Sequence, residues 1–196
     1  MSSVRSLTLA DVAWPRAGAL QNVMLVALAS LLTAAAAQVA IPVPWSPVPI
    51  TGQTFAVLLS GAVLGPRRAF AAQALYLIEG ACGLRFFAGG SGGAAVFAGP
   101  TAGYLVAFPF AAALTGWLCA SGWDRRFFSM LMAMVIGSLV IFALGLAVLS
   151  RFLPPAQLLS AGLLPFLPGD LVKAAAAALA FPAAWRAVHA RGGIDA

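Results

Sequence analysis

The chain has 196 residues, 62% of them hydrophobic and 8% charged, with a mean hydropathy of +0.99. Soluble domains carry about 25% charged residues, so this composition excludes one and defines an integral membrane protein, by length a single transmembrane domain over 1–196, which the apolar runs below make all-α. The net charge of +6 does not argue for a nucleic-acid partner, because the basic residues are dispersed and form no patch.

Residues 1–16 read as a polar cytoplasmic segment. Arg5, Asp11, Pro15 and Arg16 precede the first apolar run, which argues against a cleavable signal. Span one is predicted over 17–39, long enough for a bilayer core of about 30 Å. Its Ala29, Ser30, Thr33, Ala34, Ala35, Ala36 and Ala37 give a small-residue face on which another helix can pack closely. Residues 41–50 follow, with prolines at Pro42, Pro44, Pro47 and Pro49. Such a segment cannot be helical. Its lack of charge places it against protein, as a structured loop over the mouth of the bundle.

Residues 51–64 and 69–83 predict a hairpin of two short helices, separated by Gly65-Pro66-Arg67-Arg68. Gln53, Gln73, Tyr76 and Glu79 are its polar groups. Glu79 is an acid in the apolar body, so it should face a cavity or a partner, or else reach the outer headgroup level. Residues 84–100 are glycine-rich, with Gly89, Gly90, Ser91, Gly92 and Gly93 among Phe86, Phe87 and Phe97. No strand and no Gly-Lys-Ser/Thr makes this a phosphate loop. The phenylalanines argue for a loop packed into the bundle mouth, where glycine lets backbone approach a ligand.

Span four is predicted over 102–120, with Tyr104 near its outer end, and span five over 127–149. Residues 156–166 read as a loop or short interfacial helix. Span six is predicted over 167–185, with Pro182 kinking it or ending its regular part. Residues 186–196 form a cytoplasmic tail holding His189, a solvated side chain there. Cys82 and Cys119 lie in apolar runs and read as small buried hydrophobes, with no disulfide or metal spacing.

Six spans put Arg5, Arg16, Arg67, Arg68, Arg125, Arg126, Arg186 and Arg191 on one side and Arg85 and Arg151 on the other. That asymmetry predicts that both termini are cytoplasmic. The proline-rich loop, the glycine-rich loop and the start of span six then share the outer side. Asp170 and Lys173 are the only ionisable residues of the run 167–182. Three apart, they share one helix face. Asp170 near a helix N-terminus is favoured by the helix dipole, whereas Lys173 there is not. Either they form a structural salt bridge closing the bundle, or they face a cavity. The cavity reading describes an outward-facing pocket for a small molecule with a polar head and an apolar body. No nucleophile–base pair, metal cluster or Walker motif is evident, so the chain reads as neither an enzyme nor an ATPase and calls for no cofactor. An ATP-driven process would take its energy from another subunit, docked on the small-residue face of span one.

Val48-Pro49-Ile50-Thr51-Gly52-Gln53-Thr54, Leu64-Gly65-Pro66-Arg67, Phe87-Ala88-Gly89-Gly90-Ser91-Gly92-Gly93, Gly99-Pro100-Thr101-Ala102-Gly103-Tyr104 and Pro165-Phe166-Leu167-Pro168-Gly169-Asp170-Leu171-Val172-Lys173 stand in that order. In these motifs, over about 21–185, the chain resembles the BioY family. These are the biotin-specific substrate-binding subunits, or S components, of energy-coupling factor (ECF) transporters. The resemblance implies a six-helix bundle in the bacterial cytoplasmic (inner) membrane and capture of biotin as transported ligand. It implies as partners a transmembrane coupling (T) subunit and ABC ATPase subunits, although members are thought able to work alone in some bacteria. A homo-oligomer stays open. Asp170 would accept from ureido N–H groups, and Lys173 would pair with the ureido oxygen or the valerate carboxylate. Gln53, Glu79, Gly89, Gly90, Ser91 and Tyr104 would line the pocket. Two departures stand out. Glu79 replaces an expected apolar or neutral residue, and the AxxxA pattern expected in span one is blurred by Ser30, Thr33 and the alanine run. The competing reading is a self-sufficient proton- or ion-coupled carrier, with Glu79, Asp170 and Lys173 relaying protons.

Overall fold

The structure, a computed structural model, describes residues 8–15 and 18–190, without the side chain of His189. The expectations placed on Arg5, Arg16, Arg191 and the His189 side chain lie outside the described residues. Within them the chain is mostly helical. In order come α1 (Leu9–Ala13), α2 (Ala19–Gln38), β1 (Ala40–Ile41), β2 (Ile50–Thr51), α3 (Gln53–Leu64), α4 (Pro66–Ala81), α5 (Ala102–Ala120), α6 (Phe127–Leu149), α7 (Pro155–Gly162) and α8 (Leu167–Ala190).

Among the described residues four segments are long and apolar enough to cross a membrane: Ala19–Gln38, Ala102–Ala120, Phe127–Leu149 and Pro155–Val188. The helices α3 and α4, of 12 and 16 residues, rise only about 18 and 24 Å, short of a bilayer core of about 30 Å. They form the expected hairpin with a tighter turn. Gly65 alone makes it, at φ 77°, and Pro66 opens α4, where its missing N–H leaves no intrahelical bond unmade. Arg67 and Arg68 therefore sit in the first turn of α4 and not between the helices.

Helix α5 is the centre of the bundle and packs against α3, α4 and α6. A Cβ on Gly61 would lie 2.5 Å from the Ala112 carbonyl oxygen, and one on Gly116 2.8 Å from the Gly61 carbonyl oxygen. Only small residues allow the α3–α5 backbones to approach this closely. Most of the small-residue face of α2 is likewise spent inside the bundle, with Ala36 half-buried and Ala35 exposed. Ala29, Ser30, Thr33, Ala34 and Ala37 are buried, and α2 packs on α4 and α3. The face that α2 leaves exposed carries Leu20, Val23, Met24, Leu28, Leu31 and Leu32 instead. Another helix does pack closely on the small-residue face, but it belongs to the same chain, which corrects the expectation that another subunit docks on its buried part. Polar glue joins the same helices: the Gln73 amide donates to Thr33 Oγ1 at 3.1 Å and to Ser60 Oγ at 2.9 Å.

Three further differences have simple causes. Within the segment read as polar, 9–13 is helical, because Thr8 and Asp11 form a reciprocal capping box and Asp11 pairs with Arg68 of α4. Helix α8 continues through Pro182 to Ala190, since neighbouring helices shelter a backbone that proline interrupts. Cys82, just past α4, is exposed, whereas Cys119 is buried as expected.

Candidate functional site

A cavity of about 260 Å³ lies at the end of the bundle where the two unusual loops meet the start of α8. The proline-rich loop forms one wall. Its base is closed by the antiparallel pairs Ala40↔Thr51 and Ile41↔Ile50, and Val48 is buried beneath it. Ser46 Oγ donates to the Ala161 carbonyl of α7 at 2.7 Å, which ties this loop across the mouth.

The glycine-rich segment forms the facing wall. Phe87 is 1% exposed, and its ring fills the space beside Gly80, where a Cβ would lie 2.2 Å from Phe87 Cζ. The ring meets Tyr76 edge-on, with centroids 5.5 Å apart. The Gly93 N–H donates to the Gly80 carbonyl at 2.7 Å, so the loop is fastened to the end of α4 rather than left as a free linker. Gly89 and Gly90 adopt φ of 65° and 72°, which side-chain-bearing residues rarely do, and they turn the loop back on itself.

The polar end of the cavity is a network around Asp170 and Lys173. The Lys173 Nζ lies 3.3 Å from Asp170 Oδ1 and donates to the Thr51 carbonyl at 3.0 Å and to Thr54 Oγ1 at 3.2 Å. The two oxygens of Asp170 accept from Thr54 and Ser138 hydroxyls, each at 3.2 Å. The side chains of Asp170 and Lys173 are 11% and 25% exposed, and both line the cavity. Salt bridge and pocket are thus the same object: the pair is held in readiness by hydroxyls from α3 and α6. A second chain of bonds runs from there to the glycine-rich wall. Thr51 Oγ1 donates to Gln53 Oε1 at 2.9 Å, Gln53 Nε2 to Tyr76 Oη at 2.6 Å, and Tyr76 Oη to the Phe86 carbonyl at 3.1 Å. The body of the cavity is apolar, with Phe87, Phe108, Phe142 and Phe166 among its walls.

Of the residues singled out in the sequence, Gln53, Ser91, Tyr104, Asp170 and Lys173 line this cavity. Tyr104 offers its ring, since its hydroxyl is spent on the Gly162 carbonyl at 2.8 Å. Gly89 and Gly90 shape the loop without reaching the wall. Glu79 stands away from the pocket, in the seam between α2 and α4, where it accepts from Ser30 Oγ. The rule that an intramembrane acid needs a partner holds, but the partner is a serine of the adjacent helix. Sequence reasoning missed Thr54 and Ser138 as holders of Asp170. Ser138 interrupts the apolar run of α6, and that interruption was the available signal. Among the described residues no cluster of His, Cys, Asp and Glu could hold a metal ion.

Adjacent donor and acceptor charges at one end of an aromatic cavity suit a small organic molecule with neighbouring N–H and C=O groups. Fold and site define a multi-pass membrane protein with a cavity suited to such a molecule at one end of its bundle. The family model described as "BioY family" matches residues 6–190, and the chain belongs to that family. It is 42% identical over 159 residues to a probable biotin transporter BioY of Pyrococcus horikoshii, covering 81% of this chain and 93% of that protein. It is 40% identical over 141 residues to the biotin transporter BioY of Rhizobium etli, covering 68% and 75%. A crystal structure of the S-component for biotin from an ECF-type ABC transporter superposes with a TM-score of 0.76 at 26% identity, over 85% of this chain and 92% of that one. Membership of a transporter family makes the chain a transport component and not an enzyme.

Proposed function

We propose that this chain binds biotin in the cavity beside Asp170 and Lys173 and carries out its uptake as the substrate-binding subunit of an ECF-type transporter. The observation that carries this reading is the paired acid and amine on the cavity wall, within the residues that the family model matches. Biotin joins a cyclic urea to a thioether ring and an apolar tail ending in a carboxylate. With Nζ and Oδ1 only 3.3 Å apart, the pair matches two neighbouring polar atoms of one ligand. The ureido N–H and C=O are neighbours, whereas the tail carboxylate lies at the far end. We therefore assign Asp170 to a ureido N–H and Lys173 to the ureido oxygen, with Gln53, Ser91 and Tyr104 beside them.

In this reading α2, α3, α4, α5, α6 and α8 are the six spans, and the pocket opens outward across the bacterial cytoplasmic membrane. The arginine distribution supports that direction. Arg67, Arg68, Arg125, Arg126 and Arg186 gather at the end with α1, and Arg85 and Arg151 lie at the pocket end. A coupling subunit and ABC ATPases would supply the energy. The proton-relay alternative needs a hydrogen-bonded path that joins its three charges. Glu79 instead bonds Ser30, and no hydrogen bond joins it to Asp170 or Lys173 among the described residues.

The test is binding of labelled biotin to the detergent-purified chain, with riboflavin and thiamine as competitors. Displacement by unlabelled biotin alone is expected. Absence of binding, or equal displacement by the other two vitamins, overturns the assignment.

A further inference from the structure

The bond chain from Thr51 to Phe86 starts on the cavity wall with Thr51 and Gln53 and leaves it at Tyr76, and its direction is fixed by its last member. A carbonyl can only accept, and Tyr76 is the donor that the Phe86 carbonyl finds, at 3.1 Å. Tyr76 is fully buried and its hydroxyl has one hydrogen, which that bond consumes. Its oxygen therefore faces Gln53 as an acceptor, and only the amide nitrogen of Gln53 can answer, at 2.6 Å. The amide oxygen is thereby turned toward Thr51, whose hydroxyl donates to it at 2.9 Å. Thr51 also holds Lys173 through its carbonyl, at 3.0 Å, so one residue engages both Gln53 Oε1 and Lys173 Nζ.

Three residues of the cavity lining then offer two acceptors, Asp170 and Gln53 Oε1, and one donor, Lys173. A cyclic urea presents donor, acceptor, donor. We propose that Gln53 Oε1 is the third polar contact of the urea head and takes its second N–H. The positioning residue that sets this polarity is Tyr76, which does not line the cavity. The inference rests on the biotin reading above and adds a specificity determinant to it. Without the Tyr76 hydroxyl, the Gln53 amide is free to turn its nitrogen to the ligand, setting donor against donor.

The experiment measures equilibrium binding of biotin and of its two derivatives methylated on one or the other ureido nitrogen. The proteins are the wild type, Gln53→Ala and Tyr76→Phe. The wild type should bind both derivatives at least about 10-fold more weakly than biotin, since each methyl group leaves a buried acceptor unmet. Gln53→Ala removes one acceptor and opens room for a methyl group. In it, one derivative should bind as well as biotin while the other is still rejected. Tyr76→Phe, which keeps the ring packing, should relax the same discrimination for the same derivative. Unchanged ratios in both variants overturn the inference while leaving biotin as the ligand. So does a common loss for all three ligands in Tyr76→Phe, the mark of a merely structural role. A wild type that binds no biotin overturns the underlying reading, and the inference falls with it.

Discussion

An acid and an amine three residues apart in an apolar run were legible as a site because each is expensive in a membrane and needs a reason to be there. The reason was not legible, because it comes from other helices. Thr54 and Ser138 hold Asp170, and hydroxyls at such positions ordinarily bond back to their own helix. Their presence also makes the site testable by substitution. In Lys173→Ala the carboxylate keeps two hydroxyl donors, and in Asp170→Asn the ammonium keeps the Thr51 carbonyl and Thr54. Both variants should therefore fold. Each loses a charge-assisted bond to ligand of roughly 1.5–3 kcal/mol, a drop in biotin affinity of roughly 10- to 150-fold by titration. Unchanged affinity in both variants removes this site. Glu79 gives the opposite expectation. Charge alone nominated it, but charge does not say which neighbour answers, and here the neighbour is Ser30. Glu79→Gln keeps a group able to bond Ser30, and biotin affinity should stay within about 3-fold of wild type, a difference of roughly 0.6 kcal/mol. A loss as large as that of Lys173→Ala would return Glu79 to the pocket.

At the scale of elements, the long helices were readable because apolar runs of span length end at Pro, Gly or Arg. Helix α1 was not, since five residues carry no periodicity and only its side-chain cap defines it. The loops were read correctly as packed because they lack charge, but what fastens them could not be read. Gly80 and Phe87 are the example. Seven residues apart in sequence, they matter to each other only once the loop folds back over the end of α4. Phe87 cannot yield cheaply to a new Cβ, because Tyr76 and Phe97 hold its ring at centroid distances of 5.5 and 5.7 Å. Gly80→Ala should push the ring and its loop outward. A close-packed site of this kind typically loses about 1–3 kcal/mol on overpacking. The loss should be read as weaker biotin binding together with a lower melting temperature in detergent. Normal affinity in a fully stable variant would mean that the glycine-rich wall does not depend on this notch.

Across the whole molecule the two ends differ in kind: one holds the cavity, the other is closed by ionisable staples. At the closed end two acids respond to pH with opposite sign. Burial pushes the Asp11 carboxyl up, but bonds from the Thr8 backbone, Arg68 and the Thr8 hydroxyl overcome it, and its pKa lies below the ordinary 3.8. Its contribution to stability is present above that value and is lost as pH falls through the lowered one. Asp124, in the turn between α5 and α6, is fully buried between Arg125 and Trp185 of α8. Burial raises its pKa above 3.8, against the pull of the Trp185 N–H and Arg125. The folded state therefore binds the Asp124 proton more tightly than the unfolded chain does. The stability gained from that proton is complete below 3.8 and fades as pH rises through the raised value. Asp124→Asn keeps an acceptor for the Trp185 N–H and removes the titration. Relative to this variant, the wild type should gain in melting temperature as the pH is lowered from 7 toward 4, in detergent at constant ionic strength. Asp11→Asn should give the reverse: at pH 7 it lacks the stabilisation that wild-type Asp11 supplies, and the difference closes only as the pH falls below 3.8. Parallel curves for wild type and Asp124→Asn over that range would mean that the buried carboxyl has the same proton affinity folded and unfolded. The closure of α8 against the α5–α6 turn would then be insensitive to its charge.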